Sequence, residues 1–190
     1  MRKDIGARVV GLKNKVNRLE WAKVLMLSHC LHIDDATTLP DTTSSGKPMP
    51  NFSDLPLMHN GDSEHDWQVD VMYSAAYYGL VNGTLQNNIE PGRFVTGAEA
   101  VKMVVRTGEY IKNAIAAQND TLIPENFDRN AWYFEFYAKA LTEDIFQSII
   151  QNSTPQANVM RGRALHELLK TMLKRNMYIP ESQAHVEGLL

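Results

Sequence analysis

Three eight-residue segments of the chain align with one another without gaps, and this internal repeat restricts the possible folds more than any other feature. The segments are Val16–Lys23, Val95–Lys102 and Val159–His166. Each opens a stretch in which apolar residues recur three and four positions apart, the spacing of an amphipathic helix. A repeat of this kind indicates similar structural units that pack against one another, because a single small unit cannot bury its apolar face alone.

The first two segments begin with residues that favour the start of a helix. Thr96 precedes Glu99 by three residues, which is the spacing of a capping box. Asn17 precedes Glu20 by the same interval, and asparagine is a good N-cap by itself. The third segment breaks this pattern, because Met160 stands at the cap position.

A second unit lies upstream of two of the three segments. Trp67 precedes Val95 by 28 residues, and Trp132 precedes Val159 by 27. Each tryptophan is predicted to open an aromatic-rich helix, and a Phe–Asp element precedes each of these helices, at residues 52–54 and 127–128. The first segment has no such helix upstream, since 15 residues precede it. The repeat is therefore expected to be complete twice and partial once.

Helical periodicity dominates the rest of the chain, and strand-like alternation is absent, so we predict an all-α fold. The predicted helices are Arg18–Leu31, Trp67–Val81, Ala98–Ala117, Ala131–Ile150 and Gly162–Met177. Gly108 is a point where the third helix could bend or be interrupted. The predicted division is a partial repeat at 1–33, a long polar loop at 34–50, repeats at 51–117 and 118–178, and a tail at 179–190.

Composition excludes several classes of protein. The chain has 190 residues, of which 44% are hydrophobic and 22% charged, typical of a protein with a packed core. A net charge of −3 argues against broad electrostatic binding to nucleic acid. No apolar run approaches the ~20 residues of a membrane span, and no signal peptide is visible after the basic start. The single cysteine excludes internal disulfides and multi-cysteine zinc sites.

The second repeat carries a recognisable set of motifs in order along the chain. They are FSDLP at Phe52–Pro56, Trp67, AYYGLVNG at Ala76–Gly83, Glu90–Pro91 followed by Phe94, and VTGAEAVKMVVR at Val95–Arg106. This arrangement resembles the S-layer homology (SLH) domain. Through the alignment of the repeats, the resemblance extends over roughly residues 5–33, 51–110 and 127–177.

The resemblance implies a pseudo-threefold assembly of helical repeats with binding grooves between neighbours, the first repeat being incomplete. It also implies a non-catalytic module, without cofactor or metal, that attaches a protein to the cell envelope outside the cell. The expected ligand is an anionic cell-wall polysaccharide, often pyruvylated. Other copies of the chain, or a larger polypeptide, are expected to complete the first repeat.

The resemblance also implies which residues meet the ligand. Arg18 and Arg161 match the groove arginine of the family, whereas Gly97 stands at that position in the second repeat. Two lysines, Lys23 and Lys102, match an assisting cation, and His166 replaces it in the third repeat. A guanidinium at a helix N-terminus is well suited to bind an anionic group. Its planar fork can donate two hydrogen bonds to a carboxylate, and the helix dipole adds positive potential at the same place.

Two further family positions complete the expected binding residues. Gly83 matches a glycine whose backbone lets a ligand approach closely. Trp67 is a candidate for stacking on a sugar ring.

Each functional interpretation has a plainer alternative. The arginines could form ion pairs with a neighbouring repeat, and both Trp67 and Trp132 are better explained by core packing than by sugar stacking. His29 and His32 share a helix face but have no evident third ligand, so a metal site is not predicted. No catalytic motif is present. The alternative to an anchoring module is a structural subunit whose helices mediate protein–protein assembly at the cell surface.

Overall fold

A computed structural model describes residues 11–112 and 128–174 of the chain and shows six α-helices and a short 3₁₀-helix in these ranges. The α-helices are α1 Arg18–Ser28, α2 Ser63–Tyr77, α3 Gly97–Lys112, α4 Phe134–Thr142, α5 Gln147–Asn152 and α6 Arg161–Lys174, and the 3₁₀-helix is Ala36–Thr38. The described residues form isolated β-bridges but no sheet. The predicted all-α class is confirmed.

Local sequence signals place most helix ends within a few residues. The Asn17 side chain accepts the Glu20 N–H while the Glu20 side chain accepts the Asn17 N–H, so α1 begins with a complete capping box. Helix α2 begins four residues before Trp67, where Asp62 caps it. Helix α3 continues through Gly108 without interruption. The predicted extensions of α3 and α6 beyond residues 112 and 174, and the predicted tail, lie outside the described residues.

The prediction of one continuous helix over Ala131–Ile150 is wrong, because α4 and α5 are separate. The backbone is left-handed at Asp144 and at Phe146, both with φ of 55°, and the Ile145 N–H closes the end of α4 on the Ala140 carbonyl at 2.9 Å. Such an end usually contains glycine. Because Asp144 takes this conformation without a glycine, the sequence pattern did not mark the break.

The core consists mainly of the apolar faces predicted for the first four helices. Its largest fully buried side chains include Trp21, Leu25, Met26, Met72, Tyr73, Tyr137 and Ile149. Helix α6 differs from its prediction, since Leu169 and Leu173 are 39% and 59% exposed while Glu167 and Thr171 are buried. Helix α6 packs against α5. The face that α6 buries differs from the face that the spacing of its apolar residues predicts.

The segment of residues 34–62, here called the strap, lies along α2. The Ala36 N–H donates to Asp70 at 2.9 Å, and the Ser44 N–H donates to the Tyr77 carbonyl at 2.9 Å. Farther along, the Tyr73 hydroxyl donates to the Leu55 carbonyl at 3.0 Å. These bonds satisfy polar groups of a long non-helical segment, so it is held against the helix along its length.

The three aligned segments meet at their first residues. The Val16 N–H donates to the Val159 carbonyl at 3.1 Å, Val159 donates to Val95 at 2.9 Å, and Val95 donates to Val16 at 2.9 Å. These hydrogen bonds form a closed ring, here called the valine ring. All three valines are buried, with 4% exposure or less. The ring places the N-termini of α1, α3 and α6 close together.

Corresponding backbone bonds surround the valine ring. The N–H of Arg18 donates to the Arg93 carbonyl at 3.0 Å, that of Gly97 to Ala157 at 2.9 Å, and that of Arg161 to Asn14 at 2.8 Å. In each case the donor is two residues after its valine and the acceptor two residues before the next valine. The first turn of each helix is therefore bonded to the segment that leads into another.

Over the part of the chain that the structure describes, we find no helix with the length and apolar character needed to cross a membrane.

Candidate anion-binding groove

A groove of about 480 Å³ opens beside the start of α1, between the loop after α2 and helix α3. Its lining includes one residue before α4, Trp132, so parts of all three repeats contribute to it. The residues that give it its chemistry are Arg18, Gly83, Arg93, Glu99, Lys102 and Trp132. Three of these side chains are cationic and one is a carboxylate. A second carboxylate, Glu90, pairs with Arg93 at 2.7 Å from outside the lining, so three positive charges stand against two negative ones and the excess is one positive charge.

Arg18 is the best-anchored side chain of the groove. Its side chain is 7% exposed and pairs with Glu99, Nη1 to Oε1, at 2.8 Å. The Nε–H donates to the Ile89 carbonyl at 2.8 Å, and Nη2 donates to the Asn82 carbonyl at 3.0 Å. These bonds use three of the five guanidinium donors. Burial lowers the pKa of Arg18, and the charge of Glu99 opposes that shift.

The ion pair with Glu99 matches the plainer expectation for Arg18, which was an ion pair with a neighbouring repeat. Because Glu99 lies in the second of the aligned segments, Arg18 joins the first aligned segment to the second. Two guanidinium N–H groups make no hydrogen bond to the described residues, and the side chain lines the groove. The structural role therefore leaves donors available to a ligand.

Glu99 binds two arginines and also caps its own helix. Arg93 contacts both of its carboxylate oxygens, with Nη1 at 3.0 Å from Oε2 and Nη2 on Oε1. The Thr96 N–H donates to the same carboxylate at 3.1 Å, as predicted for a capping box. Burial alone would raise the pKa of Glu99, but hydrogen bonds from Arg93 and Thr96 and the charges of both arginines hold it below its usual value. Glu99 therefore remains ionised.

Lys102 lies one turn after Glu99, against aromatic rings. Its Nζ is 5.5 Å from the centre of the Trp132 ring and 5.8 Å from that of Phe136. Burial, together with the positive charges of Arg106 and Arg18, lowers the pKa of Lys102. An anion that enters the groove would stabilise the charged form of this ammonium group, because a nearby opposite charge favours it.

The remaining predicted binding residues lie together at a second junction. Arg161 pairs with Glu20, Nη2 to Oε1, at 2.6 Å, and is partly buried. Three residues after Glu20 on the same helix, Lys23 places its Nζ 4.5 Å from the centre of the half-buried Trp67 ring. Thus Arg18, Gly83 and Lys102 line one groove, whereas Arg161, Lys23 and Trp67 lie outside its lining and are connected through contacts with helix α1.

Gly83 lines the groove, but its lack of a side chain also has a packing reason. A Cβ atom at this position would come within 3.0 Å of the Phe52 ring. Phe52 is 1% exposed and belongs to the core. A larger residue at position 83 would have to displace the Phe52 ring, so glycine allows the backbone of the groove wall to pass close to this ring.

The third junction lacks the arginine–carboxylate pair. Gly97 takes the position of Arg18, and Arg163 takes that of Glu99. A Cβ on Gly97 would lie 3.4 Å from Cγ2 of Ile149 and 3.6 Å from the carbonyl oxygens of Thr154 and Pro155, so an apolar side chain and two backbone oxygens border this position. Both Arg163 and His166, which corresponds to Lys102, are exposed.

Two groove residues were missed by sequence reasoning. Trp132 was assigned to core packing, yet it is 55% exposed and lines the groove. Its spacing from Val159, which repeats that of Trp67 from Val95, was the available signal. Arg93 has no counterpart in the repeat pattern, and no sequence signal distinguished it.

The family model of the S-layer homology domain matches residues 62–101, which include α2, part of the groove wall and the start of α3. The resemblance of the second repeat to this family is confirmed. Domains of this class generally anchor S-layer proteins to the cell wall and are typically non-catalytic binding modules. No curated protein and no solved structure matches the chain.

Proposed function

We propose that the chain is a non-catalytic module that attaches its protein to the outside of the cell envelope by binding an anionic cell-wall polysaccharide in the groove. The observation that carries this proposal is the charge of the lining, in which Arg18, Arg93 and Lys102 face a single carboxylate, Glu99. A carboxylate on the glycan, such as a pyruvyl ketal, would neutralise the excess charge.

Each groove residue has a separate role in this proposal. Arg18 offers its remaining guanidinium donors to the acid group of the sugar. Lys102 supplies a second positive charge, held in place by the rings beside it. The exposed face of Trp132 packs on the sugar ring.

We extend the proposal to a pseudo-threefold arrangement of the repeats around the valine ring. The cyclic backbone bonds and the matching pairs Arg18–Glu99 and Arg161–Glu20 support it. The junction of Arg161, Lys23 and Trp67 is then a second site of the same kind. The Gly97 junction, which has no such pair, is not a glycan site.

Binding to purified anionic cell-wall polysaccharide, measured by titration calorimetry, tests the proposal. Lys102→Met removes a groove charge without removing a hydrogen bond that holds the fold, and we expect it to weaken binding about tenfold, the loss of one ion pair in a partly desolvated site. Lys47→Met is the matched control, because Lys47 is an exposed lysine of the strap.

The proposal fails if Lys102→Met and Lys47→Met bind like the unaltered chain. The same polysaccharide stripped of its acid groups provides a second comparison. If both polysaccharides bind equally well, charge has no role in the binding. Arg18→Ala combined with Arg161→Ala is expected to abolish binding in a pull-down, provided that circular dichroism shows a folded variant.

A structural subunit that assembles through protein contacts is the second candidate function. Leu169 and Leu173 favour it, because they are exposed and lie one turn apart on α6. We expect such a subunit to show a defined oligomeric mass by light scattering without polysaccharide, and Leu169→Glu with Leu173→Glu to reduce that mass to a monomer. A monomeric unaltered chain would exclude this candidate.

A further inference from the structure

Three potential metal ligands from separate parts of the chain meet at one point beside α2. Asp35 precedes the 3₁₀-helix, His59 lies near the end of the strap, and Asp70 lies on α2. The distance from His59 Nε2 to Asp70 Oδ1 is 2.8 Å, and to Asp35 Oδ1 it is 3.8 Å. One ligand atom from each residue lies within 4.8 Å of the other two. None of the three residues lines the groove.

We propose that Asp35, His59 and Asp70 bind a divalent transition-metal ion, with Zn²⁺ as the representative. The set supplies one imidazole nitrogen and two carboxylate oxygens, and zinc binds histidine and carboxylate ligands together. The imidazole disfavours Ca²⁺ and Mg²⁺, which prefer oxygen ligands alone. Two ionised carboxylates would balance the charge of the ion. Water would complete its coordination, because the site is at the surface.

Backbone and hydroxyl groups already orient both carboxylates. The Ala36 N–H donates to Oδ1 of Asp70 at 2.9 Å. The Thr37 N–H and hydroxyl donate to Oδ1 of Asp35 at 2.9 and 2.6 Å. Such outer contacts restrict ligand orientation in metal sites, and here they leave Oδ2 of each aspartate without a hydrogen bond to the described residues. The ion would replace the hydrogen bond between His59 Nε2 and Oδ1 of Asp70, because a nitrogen that binds a metal has no hydrogen to donate.

Binding of the ion would have a definite structural consequence. Asp35 and His59 lie near the two ends of the strap, and Asp70 lies on the helix beneath it. A shared metal would therefore join both ends of the strap to α2. An ion that binds the folded chain and not the unfolded chain raises its stability.

The test is a calorimetric titration of the untagged full-length chain with ZnCl₂, together with thermal unfolding in Zn²⁺ and in EDTA. We expect one equivalent of Zn²⁺ to bind, and a Tm increase of roughly 5 °C or more when free Zn²⁺ is about 100 times Kd. His59→Asn and Asp70→Asn should each weaken binding by at least about tenfold, because each removes a direct ligand.

His65→Asn is the matched control. His65 lies nearby on α2 and contacts Asp66 rather than the three proposed ligands, so its replacement should leave the Zn²⁺ affinity within about twofold. The proposal is overturned if the unaltered chain takes up no Zn²⁺. It is equally overturned if His59→Asn and Asp70→Asn bind with the same stoichiometry and affinity as His65→Asn. Cobalt absorption of the tetrahedral type, lost in His59→Asn, would support direct ligation.

Discussion

The Arg18 groove and the Gly97 junction occupy corresponding positions of the repeat, but their residues differ at both sides of the contact. In the groove, a buried arginine meets the carboxylate of Glu99 at 2.8 Å. At the other junction glycine replaces the arginine, and Arg163 replaces the carboxylate. The arginine and the carboxylate therefore depend on each other, since burying one charge without its partner would destabilise the fold.

The surroundings of Gly97 and of Arg18 also differ. At the Gly97 junction the space next to the glycine is bordered by Ile149, which is fully buried. At the Arg18 junction the corresponding region remains open as the groove. A cavity of about 540 Å³ nevertheless opens beside the Gly97 junction, because Thr154 and Pro155, whose carbonyl oxygens lie 3.6 Å from a Cβ on Gly97, belong to its lining. Among the described residues, no arginine, lysine or carboxylate lines this cavity, so the two junctions differ in the charge that they present to solvent.

Arg18→Ala is expected to have the largest effect on stability and to distinguish the two junctions most clearly. It removes an ion pair and two bonds to backbone carbonyls, at Ile89 and Asn82. We expect the free energy of unfolding to fall by about 3 kcal/mol, the lower end for a broken buried pair, because Glu99 keeps Arg93. Urea unfolding measures this loss. Arg163→Ala at the other junction should change stability by less than about 0.5 kcal/mol, and equal losses would refute the contrast.

A smaller effect is expected when the groove pair is transplanted. Gly97→Arg should destabilise the fold by about 1–3 kcal/mol, because the long side chain must fit between the fully buried Ile149 and the carbonyl oxygens of Thr154 and Pro155. Adding Arg163→Glu should recover about 1 kcal/mol of this loss by supplying a partner. A double-mutant cycle on urea unfolding gives this coupling energy. Strict additivity would mean that the Gly97 junction cannot accommodate the pair.

Trp132→Ala tests the groove with little effect on the fold. Since the side chain is 55% exposed, we expect the free energy of unfolding to change by less than about 1 kcal/mol. The affinity for anionic polysaccharide should fall about fivefold, through loss of ring contact and of the support for Lys102. Phe94→Ala is the control, because Phe94 is 45% exposed and does not line the groove. Equal affinities of the two variants would contradict the role of Trp132.

The smallest expected effect is a pH dependence carried by Lys102. Burial and the nearby arginines lower the pKa of Lys102, so it loses its proton at a lower pH than an ordinary lysine. Polysaccharide affinity should therefore weaken by less than about fivefold as the pH rises through the alkaline range. Calorimetry over that range should show a flat profile for Lys102→Met. The same pH dependence in that variant would assign the effect to another group.

Features that depend on neighbours in sequence were the most predictable part of the fold. Capping boxes at Asn17 and Thr96 placed the starts of α1 and α3, because their hydrogen bonds span three residues. The break at Asp144 and the exposed face of α6 could not be predicted in this way. The break accompanies a left-handed backbone at Asp144, and the exposed face of α6 accompanies its packing against α5; local spacing records neither.

The candidate site was predictable only to the extent that the repeats align. The resemblance to the S-layer homology domain, carried to the first repeat by the alignment, singles out Arg18, Gly83 and Lys102, and the structure places all three in the lining of the groove. Arg93 lies outside the repeat pattern, and Trp132 was assigned to the core because aromatic residues at helical spacing usually pack there. No sequence pattern singles out His59, because Asp35 and Asp70 are distant from it in sequence and only folding joins the three residues.

The valine ring sets a limit on the size of the assembly. In a solenoid each repeat leaves one face for the next, so units can be added or lost at the ends. Here the backbone donor and acceptor of every valine are both taken within the ring, so a fourth segment finds no free partner. Closing the ring also requires Val16 and Val159, from opposite ends of the described chain, to meet. Folding is then expected to be a single cooperative event rather than the stepwise addition of units.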